Sequence, residues 1–357
     1  MSIQAPNALL LGRLLATTAC VSDSVELGLD EGCFSAGPTD GYWRLIDGAP
    51  ANVVGVAGTG CEAVFAHRAE EGGIALVQWR GEAAGFVTID RLPDLELRSG
   101  FEGMALGPRG SVALATERRV WWWQDGHRHT PAMPARMEQV FAVEFDGQGA
   151  LLMTGVARVS ASDLEATVHR LAAPDAEWVR VGLPASFLAA GAMTRLDTGA
   201  VRLLEVGNAR YSLAVLEAGA RDVVLVCEPF YGREANLGGL MVIPRTKREV
   251  TVVSPETGRA WKATVPEARG WVLDPGQLYN GQLAVIARSG GGLASPNTPP
   301  ATSELQLYDP DTRSWWTPAG GETRMSPDRF VASLLFFDEW GRAVVEFEGR
   351  LLVGRPL

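Results

Sequence analysis

Short apolar runs recur along the whole chain, some alternating with polar residues and some continuous, each bounded by Gly, Pro, Asn or Asp. Almost no stretch places apolar residues at i, i+3, i+4 and i+7 for long enough to make a helix. The pattern therefore predicts strands throughout. Positions such as Ile74, Leu76 and Val77, or Val201, Leu203, Leu204 and Val206, are apolar on both faces of a strand. That is the pattern required where sheets cover one another on both sides.

The strands repeat as two kinds of hairpin. In the first, an apolar strand runs into a D-x-x-G turn and a second apolar strand follows. Phe141–Phe145 leads into Asp146-Gly-Gln-Gly149 and Leu334–Phe337 into Asp338-Glu-Trp-Gly341. Leu196-Asp-Thr-Gly199 is one residue shorter, and Met104–Gly110 carries Gly107 in the Asp position. Asp can accept hydrogen bonds from turn amides and Gly can adopt positive φ, so the pairing marks a tight antiparallel connection. In the second hairpin, Pro174-Asp175 precedes Trp178, Pro255-Glu256 precedes Trp261, and Pro310-Asp311 precedes Trp315.

The segments Val253–Trp261 and Tyr308–Trp315 resemble the third-to-fourth-strand hairpin of kelch-type and related bacterial propeller blades. The resemblance covers these short segments, and what it implies is an all-β fold with a single β-propeller. Combining the two hairpins gives four-stranded blades near 51–93, 94–134, 135–184, 185–229, 230–268 and 269–320. The chain then ends with three strands' worth of pattern, and Tyr42–Ile46 can supply the fourth. Closure by an N-terminal strand in the last blade removes the exposed edges of an open stack. Seven four-stranded blades are expected, with six or eight as the alternatives. Residues 41–357 form the propeller in this reading, and 1–40 an N-terminal extension of unassigned structure. In the run Trp121, Trp122 and Trp123, alternate rings are expected to pack into opposite neighbouring blades.

Composition narrows the function classes. The 357-residue chain is 46% hydrophobic with a formal net charge of -10, which disfavours nucleic acid or an anionic membrane surface as partner. Lys247 and Lys262 are its only lysines, a bias that reads as the codon usage of a GC-rich bacterial genome. The longest apolar stretch, Ala8–Ala19, is interrupted by Arg13 and falls short of the roughly 20 residues a membrane helix needs. Met1–Asn7 carries no basic residue of the kind that opens a signal peptide. The cytoplasm is the expected location, with the periplasm or secretion as alternatives. Cys20, Cys33, Cys61 and Cys227 form no C-x-x-C pair and are expected as buried thiols, with a Cys20–Cys33 disulfide as the alternative in an exported protein.

Candidate chemistry is sparse. His127 and His129 share one face of a strand expected at a blade's outer edge, where solvated surface histidines are the simpler account than a metal site. Propeller lactonases, by resemblance, set Glu, Asn and Asp around a channel metal. Asp146, Asp197 and Asp338 stand instead in hairpin turns, and no metal or other cofactor is expected. The segment Cys227–Leu240 brings Phe230, Tyr231, Arg233, Glu234 and Asn236 into a Gly-rich connection, a mixture typical of recognition surfaces. The expectation is a monomeric, non-enzymatic scaffold binding another protein or a peptide through a loop-rich face. A propeller enzyme, a lactonase or a glycan-active hydrolase or lyase with carboxylates in the channel, is the alternative.

Overall fold

A computed structural model describes residues 33–34 and 41–357 apart from 59, 81–83, 94, 96–102, 162, 185–189, 197, 208–209, 232–236, 239, 247–248, 254–259, 265–271, 274–276, 290–301, 319–323, 326–332 and 339. The chain divides into two units, Met1–Glu31 and Gly32–Leu357, and every described residue lies in the second.

That second unit is a single β-propeller, whose helical content among the described residues is two short 3-10 turns. The first sheet joins Val53–Ala57, Val64–Arg68, Ile74–Trp79 and Phe86–Leu92 in chain order, each strand antiparallel to the next. The same order recurs in sheets spanning 103–129, 137–181, 190–231 and 237–264. The next sheet, within 272–325, has six strands. Its first rank is split into Val272–Leu273 and Gln277–Tyr279, both paired to Gln282–Ser289. Its last rank is split into Ser314–Trp316 and Arg324–Met325, both paired to Thr302–Asp309. The four-strand form expected from the sequence is thus met in six sheets, and the exception keeps four ranks with its two edges interrupted.

The final sheet takes Ser333–Phe337, Arg342–Phe347 and Arg350–Pro356 from the C-terminal end and Arg44–Leu45 from near the N-terminus. Arg44 pairs with Val353 and Leu45 with Leu352, which is the closure anticipated. Tyr42 is fully buried beside it and donates from its hydroxyl to the Arg355 carbonyl oxygen at 3.3 Å.

The core lies between sheets. Trp121 and Trp123 pack with Ile74, Leu76 and Leu114, while Trp122 packs the other way, with Phe145 and Leu151. Strand alternation sends neighbouring rings to opposite faces, so this one run joins its sheet to both neighbours. At the ring's seam Phe65, Val77 and Trp79 of the first sheet meet Phe336, Val344 and Val353 of the last. Phe34 inserts among them, 5.6 Å from Trp79, 6.1 Å from Phe86 and 6.2 Å from Phe336 between ring centroids.

The cysteine expectation needs correction. Cys33 is bonded to Cys61, not free and not paired with Cys20. The sequence offered no means to choose among four scattered cysteines. Folding does so by seating Phe34 in the seam, which brings Cys33 to a Cα–Cα distance of 4.8 Å from Cys61.

Candidate functional site

The D-x-x-G turns join the first and second strands of their sheets, and antiparallel pairing puts all such turns at one end of the ring. Asp146 does what the motif predicts: its Oδ1 accepts the backbone N–H groups of Gln148 and Ala150, both at 2.9 Å. Its Oδ2 accepts from Arg170 at 3.0 Å (Nε) and 2.8 Å (Nη2). Gly149 supplies the positive φ of 86°. Asp338 repeats the arrangement with the amides of Trp340 and Arg342 and with Arg342 Nε at 2.7 Å. Asp197 lies outside the described residues. Consecutive turns also touch, for Gly147 N–H donates to the Gly199 carbonyl at 2.7 Å. A Cβ on Gly147 would stand 2.5 Å from the Gly199 Cα, so only glycine permits that approach.

At this end the inner strands of the first four sheets surround a cavity of about 820 Å³. Val56, Met104 and Leu106 give it apolar wall, and Glu62, Arg109, Glu144 and Arg195 give it charge. Arg109 sits in the turn that lacks the Asp, in a left-handed conformation (φ 61°). Glu144 and Arg195 occupy the same repeat slot, two residues before the turn aspartate, on adjacent inner strands. Glu144 Oε1 accepts the Phe145 N–H at 2.8 Å. Enclosure strips water from this carboxyl and raises it to about 7, against the opposing influence of that N–H, the Arg195 charge and the Arg195 N–H.

Of the recognition and histidine residues singled out in the sequence, the described ones fall elsewhere. Phe230 and Tyr231 end the outer strand Val224–Tyr231, their backbones paired with Tyr211 and Arg210. A fourth strand ends opposite the first turn of its sheet, so these two belong to the far end of the ring from the cavity. Arg233, Glu234 and Asn236 lie outside the described residues. His127 and His129 are in an outermost strand as expected. Among the described residues no group of three or more His, Cys, Asp or Glu could hold a metal ion. Sequence reading passed over Glu144 and Arg195, although a charged residue in the same slot of consecutive repeats was a usable signal.

No protein-family model matches the chain, and no curated protein does. Solved structures place the fold in the β-propeller class. The chain is similar to YCF48 bound to a D1 peptide, with a TM-score of 0.54 at 11% identity over 90% of this chain and 99% of that one. It is similar also to the β-propeller domain of Cps50 (Swd1) from Myceliophteria thermophila, with 0.54 at 12% over 86% and 98%. Virginiamycin B lyase from Staphylococcus aureus gives 0.50 at 10% over 88% and 98%. At such identities the likeness is one of fold.

Proposed function

We propose that the protein is a rigid seven-bladed propeller, the six-stranded sheet counting as one blade, that binds another protein or a peptide. The contact is made by the end of the ring that carries the inner hairpin turns. The observation that carries this is the 820 Å³ cavity there, lined by four successive sheets, which sets a few charged groups beside the apolar wall of the first two. A binding site on strand ends held by packed sheets is preorganised, which lowers the ordering cost of association. A propeller neighbour of similar fold is bound to a peptide, in keeping with this reading. A second recognition surface is proposed for the segment that begins with Phe230 and Tyr231, two residues that belong to the opposite end. Of the two locations considered, the Cys33–Cys61 disulfide favours the periplasmic or secreted one, since such bonds persist in oxidising compartments.

Affinity capture from the native host followed by mass spectrometry tests the reading. One partner should be recovered reproducibly, retained by a Tyr231→Ala/Arg233→Ala variant and lost by Arg109→Ala/Arg195→Ala. The reverse pattern would move the contact to the opposite face. A second reading, a propeller enzyme, is favoured by Glu144, whose carboxyl near 7 beside an arginine suits proton transfer at neutral pH. Turnover of a lactone or glycan panel that disappears in Glu144→Gln would establish it.

A further inference from the structure

We infer that the cavity at the turn end receives a carboxylate of its peptide or protein ligand against Arg195, and that Glu144 takes up a proton when it does so. The inference deepens the binding reading above and rests on it.

Arg195 and Glu144 face one cavity from adjacent inner strands, yet among the described residues no ion pair joins them, and neither pairs with another charged side chain there. A guanidinium is a planar fork of donors that matches a carboxylate in two parallel hydrogen bonds. Arg195 lines the cavity, and among the described residues no side chain claims that fork. Charge fixes the class of ligand. Among the described residues, the charged groups facing the space are Arg195 from the fourth sheet, Arg109 from the second, Glu144 from the third and Glu62 from the first. With both carboxyls ionised the two signs cancel, and an anionic ligand gains nothing. With Glu144 protonated one positive charge remains, which one carboxylate neutralises. A carboxylate arriving beside Glu144 is also a like charge, which strengthens its hold on a proton. Glu144 is already near 7, raised first by desolvation, so little further shift is needed for uptake at neutral pH.

The carboxylate could come from an acidic side chain or from a chain terminus, and three dye-labelled hexapeptides separate these. One is neutral with an amidated end, one neutral with a free C-terminal carboxylate, and one amidated with a single Glu. Fluorescence polarisation against the full-length protein should show binding of at least one charged peptide, at least tenfold tighter than the neutral one at pH 6. Its affinity should fall fivefold or more between pH 6 and pH 8. Glu144→Gln, which keeps shape and hydrogen-bonding reach, should bind at the pH 6 level at both values. Arg195→Gln should lose the preference for charge. Which charged peptide binds identifies the source. Equal binding of all three peptides, binding of none, or a Glu144→Gln variant that keeps the wild-type pH profile would overturn the inference. Should the host partner still be captured through Arg109 and Arg195 in any of those cases, the binding reading stands without the carboxylate. Failure to capture any partner counts against the reading itself.

Discussion

Single residues show how burial is reconciled with polarity in this ring. Glu144 favours its protonated form in the folded state, so stability falls as pH rises from about 4.5 to about 7, where the unfolded chain has already lost the proton. Glu144→Gln should therefore be more stable than the parent at pH 8, by up to about 3 kcal/mol and less where water reaches the carboxyl. Near pH 4 the two should match, and urea titration at both values checks this. His169 has the opposite sign. Burial first, and then the charge of Arg180, lowers it to about 4, so its contribution is lost as pH falls from 6.5 toward 4. Arg342 is fully buried with Nε on Asp338 and neither Nη in a hydrogen bond. Asp338→Ala should cost about 3 to 5 kcal/mol, because it strands a buried cation and unties two turn amides. Arg342→Met strands the buried Asp338 carboxylate in its turn but leaves it both amides, and should cost less. Equal losses in the two variants would show that the ion pair, and not the turn, is what Asp338 supplies.

At the scale of elements, the strand runs and the turns were legible because each is dictated locally. D-x-x-G specifies a turn whether or not a sheet follows, and Asp146 and Asp338 each accept the same two amides of it. The WWW run was legible for the same reason: period two alone sends Trp122 away from its neighbours. Trp122 is 2% exposed and its ring centroid lies 5.3 Å from that of Phe145. Trp122→Ala should cost about 3 to 5 kcal/mol, read as a lower denaturation midpoint. An unchanged midpoint would mean that the ring does not tie its sheet to the next. What the elements concealed was the split edges of the 272–325 sheet, because two-residue strands carry too little pattern to be seen. They concealed the cavity as well. Glu144 reads as one polar residue in the apolar run Phe141–Phe145 until Arg195 of the next sheet is set beside it.

The whole molecule is closed twice at its seam, once by hydrogen bonds and once by a covalent bond. Arg44–Leu45 completes the last sheet, and the Cys33–Cys61 disulfide fastens the chain before it to the first sheet's turn, next to the cavity residue Glu62. Cross-linking two positions 28 residues apart restricts the unfolded chain and contributes about 3 to 4 kcal/mol in the chain-entropy account. Cys33→Ser/Cys61→Ser should lose about that much stability, and a reducing agent should produce the same loss in the parent but not in the variant. Among the described residues no helix is long and apolar enough to cross a membrane.

By itself, the sequence determined the strand content, the repeat, the turn chemistry and the closing strand, because each depends on residues close together in the chain or on a periodicity that the unfolded chain already carries. The tertiary structure alone decided which cysteines meet, which charged side chains share the cavity, and at which end of the ring it opens. These depend on which sheets become neighbours, and residues as far apart as Glu62 and Arg195 acquire a common surface only once the ring has formed.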